Sequence, residues 1–395
     1  MSCFHCISKP FAYVAKFCGL ELFEEYIESN WKSSFWKFYG NLCLYGMFIS
    51  MLMDGVLLLL PMDLINQLTF GTLVAFNEGI KHRLCEDLSF FLNVSWCILI
   101  YNSKRYKKMM RKFIQLWKIT KSATYEKELE NDLQYWQNYI FSRICVITFI
   151  VSILNILLVF SQKMVSLFYG SKTHVMTVFF LLVIFLVRLA FSVIVLSMSL
   201  GFFIYICVAI RLKFKYLHEE IMEFKKHKIK IKNGLKPLQI RHYFLTEMVL
   251  IVDSCFSSLI FATIGCSIFY ICTSAYPILF IKTDIYINVM LFNWTIFGLL
   301  SLIITSLIAS FIIDEAHNPY KTIIQLNSKE LSHDLKLKLQ IFLKRLSGPK
   351  IGISCLDIYV VNRGSVFNIL NSLITYFLIL IQVQQMKITN TKDRK

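Results

Sequence analysis

The chain has 395 residues, of which 56% are hydrophobic and 15% aromatic, with 35 phenylalanines and a formal net charge of +17. An average soluble domain carries a smaller apolar fraction and more charge. The apolar residues form blocks too long for soluble core helices, so the sequence predicts a polytopic membrane protein. Lys and Arg flank these blocks, which indicates a positive-inside distribution and predicts no nucleic-acid partner.

The apolar blocks predict an all-α membrane protein with seven transmembrane helices. The predicted spans are residues 38–60, 84–101, 139–162, 174–210, 249–274, 287–313 and 364–385. The stretch 64–79 is also apolar, but counting it as a span would place the basic run 104–112 outside the cell. We therefore assign residues 62–83 to an outer loop and a helix extension.

The basic residues orient the chain across the membrane. Of the 42 Lys and Arg residues, 31 lie in the N-terminal segment and the alternate loops, against 9 on the opposite side. This asymmetry predicts a cytoplasmic N-terminus and an extracellular C-terminus. The resulting organisation is a cytoplasmic segment 1–37, six spans with cytoplasmic helix extensions over 38–313, a cytoplasmic anchor region 314–363, a seventh helix over 364–385 and a short outer tail 386–395.

Two cytoplasmic stretches have apolar residues at helical spacing. One set lies between residues 332 and 346, where Ser347-Gly348-Pro349 is expected to end the helix. Its members are Leu335, Leu339, Phe342 and Leu346. The other set comprises Phe214, Leu217, Ile221 and Phe224. Both patterns predict amphipathic helices, which either lie on the inner leaflet or pack against sister subunits.

The seventh span carries a polar stripe. Its members are Ser365, Asn368, Asn371, Thr375 and Gln382, at steps of 3, 3, 4 and 7 residues. No charged residue and no proline occurs from Gly364 to Gln385, a stretch that rises about 33 Å as a helix. Polar groups facing acyl chains are costly, so the stripe either hydrogen-bonds to neighbouring helices or lines water.

The same helix carries a family motif. Thr375-Tyr376, five apolar residues and Gln382-Val383 resemble the TY-(five hydrophobics)-QF signature of insect gustatory receptors, with Val383 in place of Phe. The inverted topology resembles the gustatory and odorant receptor superfamily as well.

The resemblance implies a plasma-membrane taste receptor that acts as a ligand-gated, nonselective cation channel. It would be a homo- or heterotetramer of gustatory receptor subunits whose cytoplasmic helices form an anchor between sister subunits. Its partners would be a small-molecule tastant, the lipid bilayer and permeating cations. The pore and gate residues would be Asn368, Asn371, Thr375, Leu378, Ile379, Gln382 and Val383, with Gln382 at the constriction.

The resemblance also places a ligand pocket in the outer halves of the second to sixth helices. The polar and aromatic candidates there are Asn155, Tyr270, Asn293 and Trp294. Arg188 lies deep in the fourth span, where a charged group is expected to face a pocket or a partner. An alternative is a structural pair between Arg188 and Asp54 or a backbone carbonyl.

Motifs for catalysis and cofactor binding are missing from the sequence. His218-Glu219-Glu220 has the wrong spacing for a zinc protease, and no phosphate-binding glycine loop or nucleophile elbow occurs. We therefore predict no enzyme activity, no metal site and no cofactor. Two other functions remain as alternatives, a G-protein-coupled chemoreceptor, whose N-terminus would be outside, and a secondary transporter, which no internal repeat supports.

Overall fold

The computed structural model describes residues 103–122, 124–169, 175–226, 231–280, 285–325, 333–348 and 350–392, together with Tyr45 and Leu52. The first two predicted spans, 38–60 and 84–101, lie outside the described residues apart from those two positions. The described part is helical except for one small hairpin.

The elements follow one another along the chain in a simple order. They are α1 (Ser103–Ile119), α2 (Glu126–Tyr169), α3 (Val175–Lys226), α4 (Ile231–Phe280), α5 (Ile285–His317), α6 (Pro319–Ile324), α7 (His333–Leu346), β1 (Ser354–Cys355), β2 (Tyr359–Val360) and α8 (Arg363–Lys392). Helix α4 packs against α1, α3, α5 and β1, while α5 also contacts α2, α3 and α8.

Helices α2 to α4 are much longer than a membrane is thick. The 44 residues of α2 and the 52 residues of α3 rise roughly 66 and 78 Å, against about 30 Å for a bilayer core. Among the described residues, four segments are long and apolar enough to cross a membrane: Ser197–Glu223, Lys236–Tyr276, Leu291–Ile324 and Arg363–Val383. They overlap the last four predicted spans, and α3 and α4 extend well beyond the ends of those spans.

The long helices share one hydrophobic core with α1. Helix α1 buries Tyr106, Met109, Phe113 and Trp117, whose spacing puts them on one face of the helix. Lys108, Arg111 and Lys112 are exposed on its other side. The largest fully buried side chains of α3 and α4 pack in the same core: Phe203, Tyr205, Phe214 and Phe256. The packed core therefore runs from the predicted spans into the parts of α3 and α4 that extend beyond them.

Polar contacts join the helices of this core. Arg241 of α4 binds both carboxylate oxygens of Glu220 on α3, with 2.8 Å between Nη1 and Oε1. Tyr125, just before α2, donates a hydrogen bond of 2.6 Å to Glu223 of α3, and this bond raises the pKa of Tyr125 to about 12. His242 of α4 lies between the rings of Phe214 and Phe342, and its Nε2 is 3.1 Å from the carbonyl oxygen of Ala316.

Helix α7 corrects one sequence prediction. It ends at Leu346, directly before Ser347-Gly348-Pro349, as the sequence predicted. Its apolar stripe was expected to contact the inner leaflet or sister subunits. Leu339, Phe342 and Leu346 are instead buried in the core of their own chain. Helical periodicity shows which face of a helix is buried, but it does not show what covers that face.

A β-hairpin connects α7 to α8. Ser354 pairs with Val360 and Cys355 pairs with Tyr359, in antiparallel register. Leu356 and Asp357 in its turn have φ values of 49° and 58°, a left-handed conformation that is rare for leucine. The hydrogen bond of 3.0 Å from the Ile358 amide to the Cys355 carbonyl closes the turn.

Candidate functional site: the last helix and the predicted ligand residues

A reciprocal cap begins α8. The Ser365 amide donates to the Asn362 side-chain oxygen at 3.0 Å, and the Asn362 amide donates to the Ser365 hydroxyl oxygen, also at 3.0 Å. This is the geometry of a capping box, in which the residue before the helix and the third helical residue satisfy each other's backbone amides. Ser365 therefore takes part in the N-terminal cap of α8, although its spacing in the sequence placed it on the polar stripe.

One face of α8 packs against the rest of the chain. Val366 and Leu373 are buried, and the partly buried residues Ile369, Leu370 and Phe377 extend the same face. Helix α8 contacts α5 along this side. The packed face is narrow, since only 11% of the most apolar stretch within Arg363–Val383 is buried in the chain.

The polar stripe lies on the opposite face. Asn368, Asn371, Thr375 and Gln382 are all exposed. At 100° per residue, these four positions lie about 140–200° around the helix from Val366. The Thr375 hydroxyl donates to the Asn371 carbonyl at 2.9 Å, so the helix itself satisfies it. Within the described part of the chain, these four side chains do not hydrogen-bond to another helix, which favours the alternative in which the stripe lines water.

Apolar side chains surround Gln382 at the far end of the stripe. Leu378, Ile379 and Val383 are exposed, and Leu378 and Ile379 lie on either side of the stripe. Tyr376 is off the stripe and makes an edge contact with Phe377, with 5.3 Å between the ring centroids. The residues assigned to a gate thus lie together on the side of α8 that its own chain leaves uncovered.

Among the predicted ligand residues, the structure describes the side chains of Tyr270 and Asn293. Tyr270 of α4 is buried against α5 at Gly298, where an added Cβ would lie 3.5 Å from the Tyr270 Cβ. Asn293 lies five residues before Gly298, about 140° around α5, so it does not share the face that meets Tyr270. Its Nδ2 is buried and has no hydrogen-bond partner among the described residues. Asn155, Arg188 and Trp294 lie on α2, α3 and α5, and their side chains are outside the described part.

Sequence reasoning missed one polar contact near α8. Asp253 of α4 accepts hydrogen bonds from the Ser354 amide at 2.6 Å and from the Ser354 hydroxyl at 3.0 Å. A lone carboxylate inside an apolar span was the available signal, because such a group needs a partner. The hairpin that supplies this partner has two-residue strands, which give no periodic pattern.

Long apolar helices that share a packed core, followed by a helix with an exposed polar face, are typical of a multi-pass membrane protein. The chain belongs to the seven-transmembrane chemosensory receptor family, whose family model matches residues 9–387. The predicted family, the seven-helix membrane fold, the multi-pass plasma-membrane location and the exclusion of an enzyme are thereby confirmed. No curated protein sequence matches the chain.

Solved structures share the fold. The olfactory receptor OR5 from the insect Machilis hrabei, in complex with eugenol, superposes with a TM-score of 0.74 at 16% identity, over 95% of this chain and 97% of that chain. The structure of the same receptor described without a ligand gives the same values. At this identity the similarity shows the fold, and it leaves open whether the chain is a taste or an odour receptor.

Proposed function

We propose that the chain is a gustatory chemoreceptor that acts as a tetrameric, ligand-gated, nonselective cation channel, with α8 of each subunit lining the pore. The observation that carries this proposal is the orientation of α8. Its packed face is buried against its own chain, while Asn368, Asn371, Thr375 and Gln382 point away from that chain.

The orientation favours water over lipid on the exposed side. An amide that faces acyl chains without a hydrogen-bond partner raises the free energy of the folded protein by several kcal/mol per group. Four copies of α8 around an axis would place the stripes on a shared aqueous path and cover the flanks of each helix. The number four rests on the family resemblance.

The side chains of the stripe suit a weakly selective pore. Amides and a hydroxyl supply dipoles but no fixed charge, so cations would be favoured only modestly over anions. Leu378, Ile379 and Val383 around Gln382 would form a narrow apolar ring, which closes a pore by excluding water. The taste assignment rests on the motif Thr375-Tyr376 and Gln382, and small-molecule binding is supported by the eugenol complex of the Machilis receptor.

Cysteine accessibility tests the pore assignment. Asn371→Cys and Thr375→Cys place a thiol on the stripe, while Ile374→Cys places one on an exposed flank, about 60° around the helix from Asn371 and about 100° from Thr375. A charged, membrane-impermeant thiol reagent should label the first two variants in intact cells and leave the third at the level of the unsubstituted chain. Equal labelling of all three, or labelling of Ile374→Cys alone, would remove the stripe from the water path.

The ligand assignment has its own experiment. A panel of sugars, bitter compounds and aromatic odorants, eugenol included, would be screened by whole-cell current recording. Asn293 offers a buried amide donor with no described partner, so Asn293→Ala should raise the half-activating concentration of an active compound roughly tenfold, the loss of about one hydrogen bond. Ser347→Ala, on an exposed cytoplasmic loop, is the matched control.

A further inference from the structure

The hairpin between α7 and α8 is held from the side of α4 by one carboxylate. Asp253 Oδ1 accepts the Ser354 amide at 2.6 Å, and the Ser354 hydroxyl lies 3.0 and 3.1 Å from the two Asp253 oxygens. Asp357 in the hairpin turn also approaches that hydroxyl, at 3.2 Å. Asp253 lies near the cytoplasmic edge of a span, where a carboxylate is retained only with good partners. Its described hydrogen bonds all come from Ser354.

Helix α5 holds the hairpin from a second side. A Cβ added to Gly352 would lie 2.6 Å from the Ile313 side chain and 2.9 Å from the Val360 side chain, so any larger residue would force these side chains to shift. The Ile351 amide donates to His317 Nε2 at 3.2 Å, and His317 Nδ1 lies 2.7 Å from the Leu346 carbonyl oxygen at the end of α7. The hairpin is therefore fixed relative to both α4 and α5.

The hairpin leads into α8 without a flexible linker. The Val361 amide donates to the Ile353 carbonyl at 2.8 Å, and both side chains are fully buried. The next residue, Asn362, is already the cap of α8. A shift of the hairpin must consequently move the first turn of α8.

A second restraint on this end of α8 is weaker. Arg363 donates to Asp314 of α5 at 2.7 Å, but each of these side chains is 56% exposed. Exposed ion pairs contribute little, whereas partly buried hydrogen bonds to a carboxylate contribute more. The hairpin is accordingly the main polar connection at the start of α8, beside the apolar packing of Val366.

We propose that Asp253 is a positioning residue that couples α4 to the pore helix α8 through its hydrogen bonds to Ser354. The proposal rests on the proposed function in one respect, that α8 lines the pore. A displacement of α4 would reach α8 through the rigid hairpin, and loss of the Asp253 contact would uncouple the two helices.

Site-resolved hydrogen exchange on the purified full chain in nanodiscs tests this coupling. Asp253→Ala and Ser354→Ala should speed amide exchange at least tenfold in residues 351–361 and in the first two turns of α8, with α1 unchanged. Ser347→Ala is the matched control, because its hydroxyl bonds only locally to the Lys344 carbonyl. Unchanged exchange in α8 would overturn the proposal. Faster exchange in α1 as well would also overturn it, because it would indicate a general loss of stability.

A reversible disulfide cross-link tests whether restoring the connection between positions 253 and 354 also restores slow amide exchange in α8. In the double variant Asp253→Cys and Ser354→Cys, oxidation should join the two positions and return α8 exchange to the level of the original chain, and reduction should abolish this protection. The two single variants under the same oxidant control for Cys255 and Cys355. A cross-link that forms without protecting α8, or that does not form, contradicts the coupling. These measurements need no current, so they stand even if cysteine labelling removes the stripe from the pore.

Discussion

Leu373 and Thr375, two residues apart on α8, point in opposite directions. Leu373 is 7% exposed against the rest of its chain, whereas Thr375 is exposed and its hydroxyl donates to the Asn371 carbonyl. One side of the helix thus supplies packing energy, and the other carries the polar groups. Stability and conduction should consequently respond to different substitutions on the same helix.

The first prediction separates these two effects. Leu373→Ala should lower the free energy of unfolding by about 2–5 kcal/mol, the usual cost of truncating a buried leucine. Thr375→Val keeps the volume of an exposed side chain, so its effect on stability should stay within about 0.5 kcal/mol. Thermal unfolding of the purified protein measures the stability of both variants, and whole-cell current measures their conduction. A Thr375→Val variant that unfolds as readily as Leu373→Ala would contradict the packing described for α8.

The second prediction concerns the start of α8. Asn362→Ala removes the oxygen that accepts the Ser365 amide, so it should destabilise the first turn by about 0.5–2 kcal/mol. Asn368→Ala removes an amide of the same size from an exposed position and serves as the control. Hydrogen exchange of residues 363–367 measures the difference. Equal protection in the two variants would show that the cap does not stabilise the helix start.

The third prediction uses the two faces of α7. Leu339→Asp and Phe342→Asp place a charge in the chain's own core and should cost roughly 3 kcal/mol or more, which lowers expression and the unfolding temperature. Leu337 and Ile341, which are 51% and 62% exposed, lie on the opposite face. Leu337→Asp and Ile341→Asp should leave each chain folded and shift the detergent-solubilised particle from tetramer towards monomer.

Size-exclusion chromatography with light scattering measures that shift. The tetramer is part of the proposed function, so a particle of monomer mass before any substitution would refute it. A tetramer that persists in Ile341→Asp would instead place the exposed face of α7 against the inner leaflet.

The sequence predicts the last four spans because long apolar runs interrupted by basic loops leave few alternatives. It also predicts the polar stripe of α8, because helical spacing assigns residues to faces. It assigns Ser365 to the wrong role, because a cap depends on the residue before the helix, here Asn362. The sequence N-R-G-S at 362–365 carried a signal for this cap, although serine is a less usual third residue than Glu or Gln.

The sequence predicts which face of a helix is buried better than it predicts which residues cover that face. The amphipathic pattern of α7 was recognised, yet its stripe is covered by the chain's own core, where Phe342 packs against His242 of α4. Tyr270 and Asn293 were grouped as pocket residues because both lie in the outer halves of spans. Tyr270 of α4 contacts α5 at Gly298, about 140° around α5 from Asn293, and the rotation of a buried helix cannot be obtained from a sequence that is apolar on all sides.

The fourth prediction tests the topology. The excess of basic residues on one side predicts that an epitope tag before Met1 is inside the cell and that one after Lys395 is outside. Antibody should therefore stain the C-terminal tag in intact cells and the N-terminal tag only after permeabilisation. The reverse staining would favour the alternative function, a G-protein-coupled receptor. It would also contradict the proposal that α8 lines a pore.

The fifth prediction concerns the gate. Gln382 is exposed on the polar stripe, with Leu378 one turn before it and Val383 beside it. If four copies meet near the axis, the width of the pore there depends on these side chains. Gln382→Ala removes an amide that can hydrate passing ions or bond across the axis, so ion permeability ratios should change.

Val383→Phe restores the aromatic residue of the family motif and should narrow the closed gate, which reduces current in the absence of ligand.

Surface expression and a neighbouring substitution control this experiment. Tyr376 is off the stripe and contacts Phe377, so Tyr376→Ala should alter expression or stability while the permeability ratios stay unchanged. Whole-cell currents are recorded with and without an active compound and are normalised to receptor at the cell surface. Gln382→Ala with normal currents and unchanged permeability ratios would place the conduction path elsewhere. Contacts between subunits would then be the next explanation for the stripe, because it is exposed in the described part of its own chain.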